Sequence, residues 1–177
     1  EPTALSLGDQ YRLAVVTSRT RDATSSDIAD YNAFVAGVAS SVPELNALGA
    51  TWKAIASTAS VDAYDNTNTN PATSDPSVPI YLLDGTTKIA DTNSDLWDGF
   101  IDDPLNVDEN GSTIISALVW TGTLFSGFGN PNDELGSSSD ESDPSLSTAI
   151  VGSTLLSSLS WIATDELDTA NSFSIYA

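Results

Sequence analysis

Tyr11-Arg12-Leu13-Ala14-Val15-Val16-Thr17, followed after a polar loop by Ile28, Tyr31, Val35 and Val38, is the stretch that decides the fold class. In the first part Tyr11, Leu13 and Val15 alternate with their neighbours, which predicts a strand with those three on one face. In the second, apolar residues recur at spacings of three, four and three, the stripe of a helix. Thr24 and Ser25 stand where N-caps belong. Asp27 and Asp30 fall in a first turn, where the helix dipole favours acids. Val42-Pro43 ends the helix, because the residue before proline avoids helical backbone. One strand feeding one clear helix, among otherwise short apolar runs, predicts an α+β domain.

Downstream, residues 52–58 (Trp-Lys-Ala-Ile-Ala-Ser-Thr) alternate and predict a second strand. Residues 65–76 form a polar loop, and Pro79-Ile80-Tyr81-Leu82-Leu83-Asp84-Gly85 reads as a strand entering an Asp-Gly turn. Leu96, Trp97, Phe100 and Ile101 fit one face of a helical turn opened by Ser94 or Asp95. Residues 117–122 predict a buried strand, 128–144 a mobile Gly/Asn/Ser/Asp loop, and 155–163 and 173–176 two late strands. No tandem repeat and no linker divides the chain. The reading is a polar N-terminal arm at 1–9 and a single domain at 10–177 with short antiparallel strands, one main helix and long polar loops.

The composition narrows the chemistry. The 177 residues hold 25 acids against five cations, a net charge of -20, with no His, Cys or Met. Without His, the usual general base near neutral pH and the commonest metal ligand are both missing. Without Cys there is no thiol nucleophile, disulfide or ordinary zinc site. A hydrophobic fraction of 40% and a mean hydropathy of -0.06 belong to a folded domain. The charge repels nucleic acid and anionic lipid, so neither is an expected partner. Nor is there an apolar run long enough for a membrane-spanning helix. The Glu1-Pro2-Thr3 start reads like a mature product after signal removal, or like a trimmed chain. With the lack of thiols, it predicts a secreted protein.

Asp (19) far exceeds Glu (6), which suits a soluble acidic coat or oxygen-rich cation sites. The densest acids are Asp95, Asp98, Asp102, Asp103, Asp108 and Glu109, a candidate calcium site without EF-hand spacing or else a solvated, capped loop. Asn130-Pro131-Asn132-Asp133-Glu134 is a second candidate, equally readable as a turn. Trp52, Trp97, Trp120 and Trp161 each lie in apolar stretches, which favours core over sugar platforms. A serine nucleophile would have to recruit Lys53 or Lys88 with no motif behind it, and no phosphate-binding glycine loop is present. The chain is therefore not expected to be an enzyme.

In order, the strand at 11–17, the helix from Ile28, Val78-Pro79-Ile80-Tyr81-Leu82, Ser94-Asp95-Leu96-Trp97-Asp98-Gly99-Phe100, Val119-Trp120-Thr121-Gly122, Trp161 and Ser172-Phe173-Ser174-Ile175-Tyr176-Ala177 resemble the endostatin-like branch of the C-type-lectin-like fold. The opening, Tyr11 through Thr17-Ser18-Arg19-Thr20-Arg21-Asp22-Ala23-Thr24, is similar to that of secreted ectodomains of bacterial PEP-CTERM proteins. The resemblance implies a single C-type-lectin-like domain and an extracellular setting. Endostatin's disulfides, zinc histidines and basic heparin surface have no counterpart. Nor do the lectin calcium motifs, of which Asn130-Pro131-Asn132-Asp133 is a distant echo, or the PEP-CTERM sorting tail. The resemblance implies no reaction.

The expectation is thus a secreted structural or adhesive protein that partners itself as a homo-oligomer or filament, with Arg19 and Arg21 as candidate inter-subunit contacts. The alternative is a calcium-assisted module binding glycan or matrix polysaccharide through loops at 95–110 or 130–143.

Overall fold

The computed structural model describes residues 2–138 and 146–177. Strand β1 (Arg12–Ala14) occupies the middle of the predicted first strand, and helix α1 (Ile28–Ser40) follows. Asp27 is the N-cap, its carboxylate accepting from the Ala29 amide at 2.9 Å. Thr24 and Ser25 are not caps, because acids take their hydroxyls: Thr24 donates to Asp22 and Ser25 to Asp30, both at 2.6 Å. The predicted stripe is the buried one. Tyr31, Val35 and Val38, with Ala39, face inward, and α1 packs on a core containing Trp52, Trp120, Ala149, Val151 and Ile175.

Proline at its first position starts α2 (Pro43–Ala47) directly after α1, and the single-turn helix α3 (Ala63–Asn66) lies beyond residues 52–58. Those residues are not a sheet strand. Positions 54–58 are buried one after another, so both faces meet protein and alternation has no meaning there. Their amides instead reach single partners: Ile55 to the Tyr176 carbonyl at 2.9 Å, Ser57 to the Thr121 carbonyl at 2.8 Å, and Ala54 to the Asn32 side chain at 2.9 Å. Strand β2 (Ile80–Leu82) enters the expected Asp-Gly turn, and β3 (Lys88–Ala90), which the sequence reading did not include, completes a hairpin. Asp84 accepts from the Thr86 and Thr87 amides at 2.8 Å each, and Gly85 takes φ 67°. The next turn, α4 (Asn93–Leu96), is opened by Thr92 rather than Ser94 or Asp95. Its Leu96, with Trp97 and Ile101, is buried, but Phe100 is exposed.

The remaining strands are β4 (Leu118–Trp120), β5 (Thr148–Ser153), β6 (Asp165–Asp168) and β7 (Ser174–Ile175). The late strand predicted at 155–163 is instead a bend and a 3₁₀ turn over Leu159–Trp161. Its leucines at 155, 156 and 159 face solvent, while Trp161 and Ile162 are buried. Of the loop predicted at 128–144, residues 128–138 are pinned: the Leu135 amide reaches the Ser57 carbonyl at 3.0 Å, and Gly136 reaches Ala23 at 2.8 Å. Residues 139–144 lie outside the described residues.

Two small sheets result, ordered β1-β2-β3 and β6-β5-β4-β7. The expectation of antiparallel strands needs correction, because β1 pairs with β2, and β4 with β7, in parallel. Long excursions separate the partners of each parallel pair, which lets the chain re-enter in the same direction. The segment running on from β1 joins the sheets: Val15 and Ala177 exchange main-chain bonds of 2.8 and 2.9 Å, and the Thr17 amide reaches Ile175 at 2.9 Å. All four tryptophans are buried, as a core role requires. No helix among the described residues is long and apolar enough to cross a membrane.

Candidate functional site

The six candidate metal acids separate into different environments. Asp95 and Asp102 come together, joined by Asp91, with one carboxylate oxygen from each lying within 4.8 Å of the others. The α4 turn aims Asp95 back, so that it accepts from the Asp91 amide at 2.7 Å, while a bond from the Asp102 amide to Ile89 at 2.9 Å fixes the third acid. Lys88 sits among them, hydrogen-bonded to Asp91 and 3.5 Å from Asp102. The bond to Asp91, with both carboxylates nearby, raises the Lys88 pKa. A cation thus already belongs to this group. Asp98 and Asp103 are exposed and stand outside it. Asp98 accepts from the Phe100 amide at 3.0 Å.

Asp108 and Glu109 are buried and engaged with backbone. Asp108 accepts from the Asn110 and Ser112 amides at 2.9 and 2.8 Å, closing the turn at Gly111. Glu109 accepts from the Ser18 amide at 2.8 Å, from the Ser18 hydroxyl and from Asn110 at 3.2 Å. Asp108 thus closes the 107–113 turn, and Glu109 fastens it to the first strand segment. Glu109→Ala, which leaves the Ser18 amide without its acceptor, is expected to cost about 2 kcal/mol, a Tm drop of roughly 4–8 °C, equal with and without calcium in thermal melts.

The second candidate is also a brace. Asn130 donates to Asp133 at 2.7 Å, and buried Asp133 accepts from Thr148 at 3.1 Å beneath β5. Pro131 and Asn132 are exposed, and Glu134 is half-buried. Residues 139–143 of that predicted loop lie outside the described residues. Arg19 is exposed. Arg21 is committed within the fold: its guanidinium lies 4.1 Å from the Tyr31 ring centre and donates to the carbonyls of Asp22 and Asp30 at 3.0 and 2.9 Å.

A further feature is one the sequence did not disclose. In a parallel ladder alternate residues face the partner, so Arg12 and Ala14 bond to the β2 side, and Leu13 turns its N–H and C=O the other way. On that other edge Ile175–Ala177 cover Val15 and Thr17, while the Leu13 main chain has no partner among the described residues. Beside the uncovered edge lies a groove of about 560 Å³, with Leu13, Leu48, Trp52, Ile55, Ile80 and Leu96 among its apolar lining. Two of the chain's five cations, Arg12 and Lys53, also line it, and no carboxylate side chain among the described residues does. Arg12 donates to the carbonyls of Thr67, Asn68 and Pro76 at 3.3, 2.7 and 3.3 Å, and its Nε is buried without a partner. Burial lowers its pKa, an effect Asp75 opposes, yet a guanidinium remains charged at any ordinary pH. An uncovered strand edge beside an apolar slot can accept an extended segment, main chain to main chain.

No protein-family model matches the chain, and no curated protein matches it significantly. The site therefore rests on its own geometry.

Proposed function

We propose that the chain is a secreted, non-catalytic structural or adhesive protein of a cell surface or extracellular matrix, and that its copies assemble through the open edge of β1. The observation that carries this reading is the main chain of Leu13, which lines the groove and has no partner among the described residues. Natural proteins blunt or cover such edges unless something fills them. Within the α+β architecture, the order of strand, main helix, β2 hairpin, Trp97 turn, β4 and closing β7 supports the C-type-lectin-like assignment, and with it the extracellular setting.

A second reading, a calcium-assisted module for glycan or matrix polymer, is favoured by the meeting of Asp91, Asp95 and Asp102. Light scattering on the purified chain, with EDTA and with millimolar calcium, separates the two. The first reading predicts mass rising with protein concentration and with salt, because screening relieves the repulsion between copies carrying -20 each. Dissolution by EDTA would place calcium at the contacts. A strict monomer in every condition would overturn self-assembly and leave glycan binding.

A further inference from the structure

We infer that the groove beside β1 receives the N-terminal arm, residues 2–9, of a second copy of this chain, laid in as an added strand against Leu13. The inference rests on the self-assembly reading above and names the segment that does the assembling. Thr3-Ala4-Leu5-Ser6-Leu7 has period-two spacing, so an extended arm presents Leu5 and Leu7 on one side. In the single chain Leu7 is 95% exposed and Leu5 is half-buried. The arm is not extended in the single chain. It folds on itself through bonds from Leu5 to Pro2 at 3.2 Å and from Asp9 to Ser6 at 3.0 Å.

One main-chain bond holds the arm to the rest of the described residues, from the Thr3 amide to the Gly85 carbonyl at 3.0 Å, together with burial of Pro2. Releasing it breaks little. The groove offers what the arm lacks: apolar lining for two leucines, main-chain groups at Leu13, and the cations Arg12 and Lys53. Residues 1–11 contain Glu1 and Asp9 and no cation, so arm and groove are complementary in charge. From Tyr11 to Ala14 the edge runs about 10 Å, the same as an extended segment from Ala4 to Leu7.

The arm is also joined directly to Tyr11 and β1, at the mouth of its own copy's groove. A copy that gives its arm to one neighbour can take the arm of another. Such a contact is head-to-tail and builds a ring or a filament, depending on whether the rotation closes.

The cysteine-free chain makes the test direct. Leu7→Cys and Leu48→Cys, both at exposed positions with Leu48 lining the groove, are mixed and oxidised. The mixed disulfide dimer is expected to exceed either like-with-like dimer by about tenfold, and a statistical mixture overturns the arm as occupant. In parallel, Leu7→Asp, which disturbs no packed contact, is expected to keep the parent Tm. It should raise the concentration needed for assembly by about tenfold or more. Undiminished assembly of Leu7→Asp overturns the arm while leaving self-assembly in place. A parent chain that stays monomeric at all concentrations and salt levels overturns both.

Discussion

Leu13→Pro is expected to abolish assembly and leave the monomer folded. The ladder explains why. The N–H that proline removes is the one pointing away from β2, so the bond from Arg12 to Pro79 at 2.9 Å and the pairing of Ala14 with Leu82 both survive. Arg12, the residue before the new proline, is already in a strand, the conformation that position requires. What changes is the groove side, where a ring stands in place of a donor and blocks an incoming strand. The concentration needed for assembly should rise at least about tenfold, with Tm lowered by the lost half of a leucine contact, about 1–2 kcal/mol. Leu13→Ala loses the same side chain and keeps the amide, so it should still assemble. Equal assembly by the proline and alanine variants in light scattering would remove the main-chain edge from the account.

Gly152→Ala is expected to cause a large loss of stability. Gly152 sits in β5 opposite Val119, and a Cβ there would stand 2.1 Å from the Trp161 carbonyl oxygen and 2.8 Å from Ile162 Cα. Both obstacles are backbone. That backbone is held in turn by Thr121, whose hydroxyl donates to the Ile162 carbonyl at 2.6 Å, and by the Thr164 amide on Val151 at 2.8 Å. Overpacking ordinarily costs 1–3 kcal/mol, and with no flexible side chain to yield the loss should reach about 3 kcal/mol or more, a Tm drop of roughly 6–12 °C. Gly37→Ala is the contrast. Nothing lies within 4 Å of a Cβ at that position of α1, so improved helix propensity should raise stability by about 1 kcal/mol. A thermal melt in which Gly152→Ala matches the parent would show that β5 and the 3₁₀ turn are not in the contact described.

These two sites mark where the sequence was readable and where it was not. The α1 stripe was legible because a half-buried helix writes its period into the chain, and the Asp84-Gly85 turn because few residues take its backbone. Residues 54–58 misled because a segment buried all round carries no period. Leu155, Leu156 and Leu159 misled because apolar residues left at the surface imitate a strand. Of the candidate acids, Asp95 and Asp102 do meet, yet their companions Asp91 and Lys88 come from the end of the β2 hairpin, outside the window in which acids looked dense. Asp108 and Glu109 were singled out for their charge, and the structure gives them backbone amides instead. The groove had no signal at all. Which part of that strand edge is covered depends on how residues 175–177 pair with residues 15–17, a contact between segments far apart in the sequence.

The most direct measurement is hydrogen–deuterium exchange at the Leu13 amide, in dilute protein and in protein concentrated in salt. The account predicts fast exchange in the dilute chain and at least about tenfold slower exchange in the assembled one, with the Val15 amide, already bonded to Ala177, protected in both. Assembly that proceeds while Leu13 exchanges at its dilute rate would contradict the claim that copies join through the edge of β1.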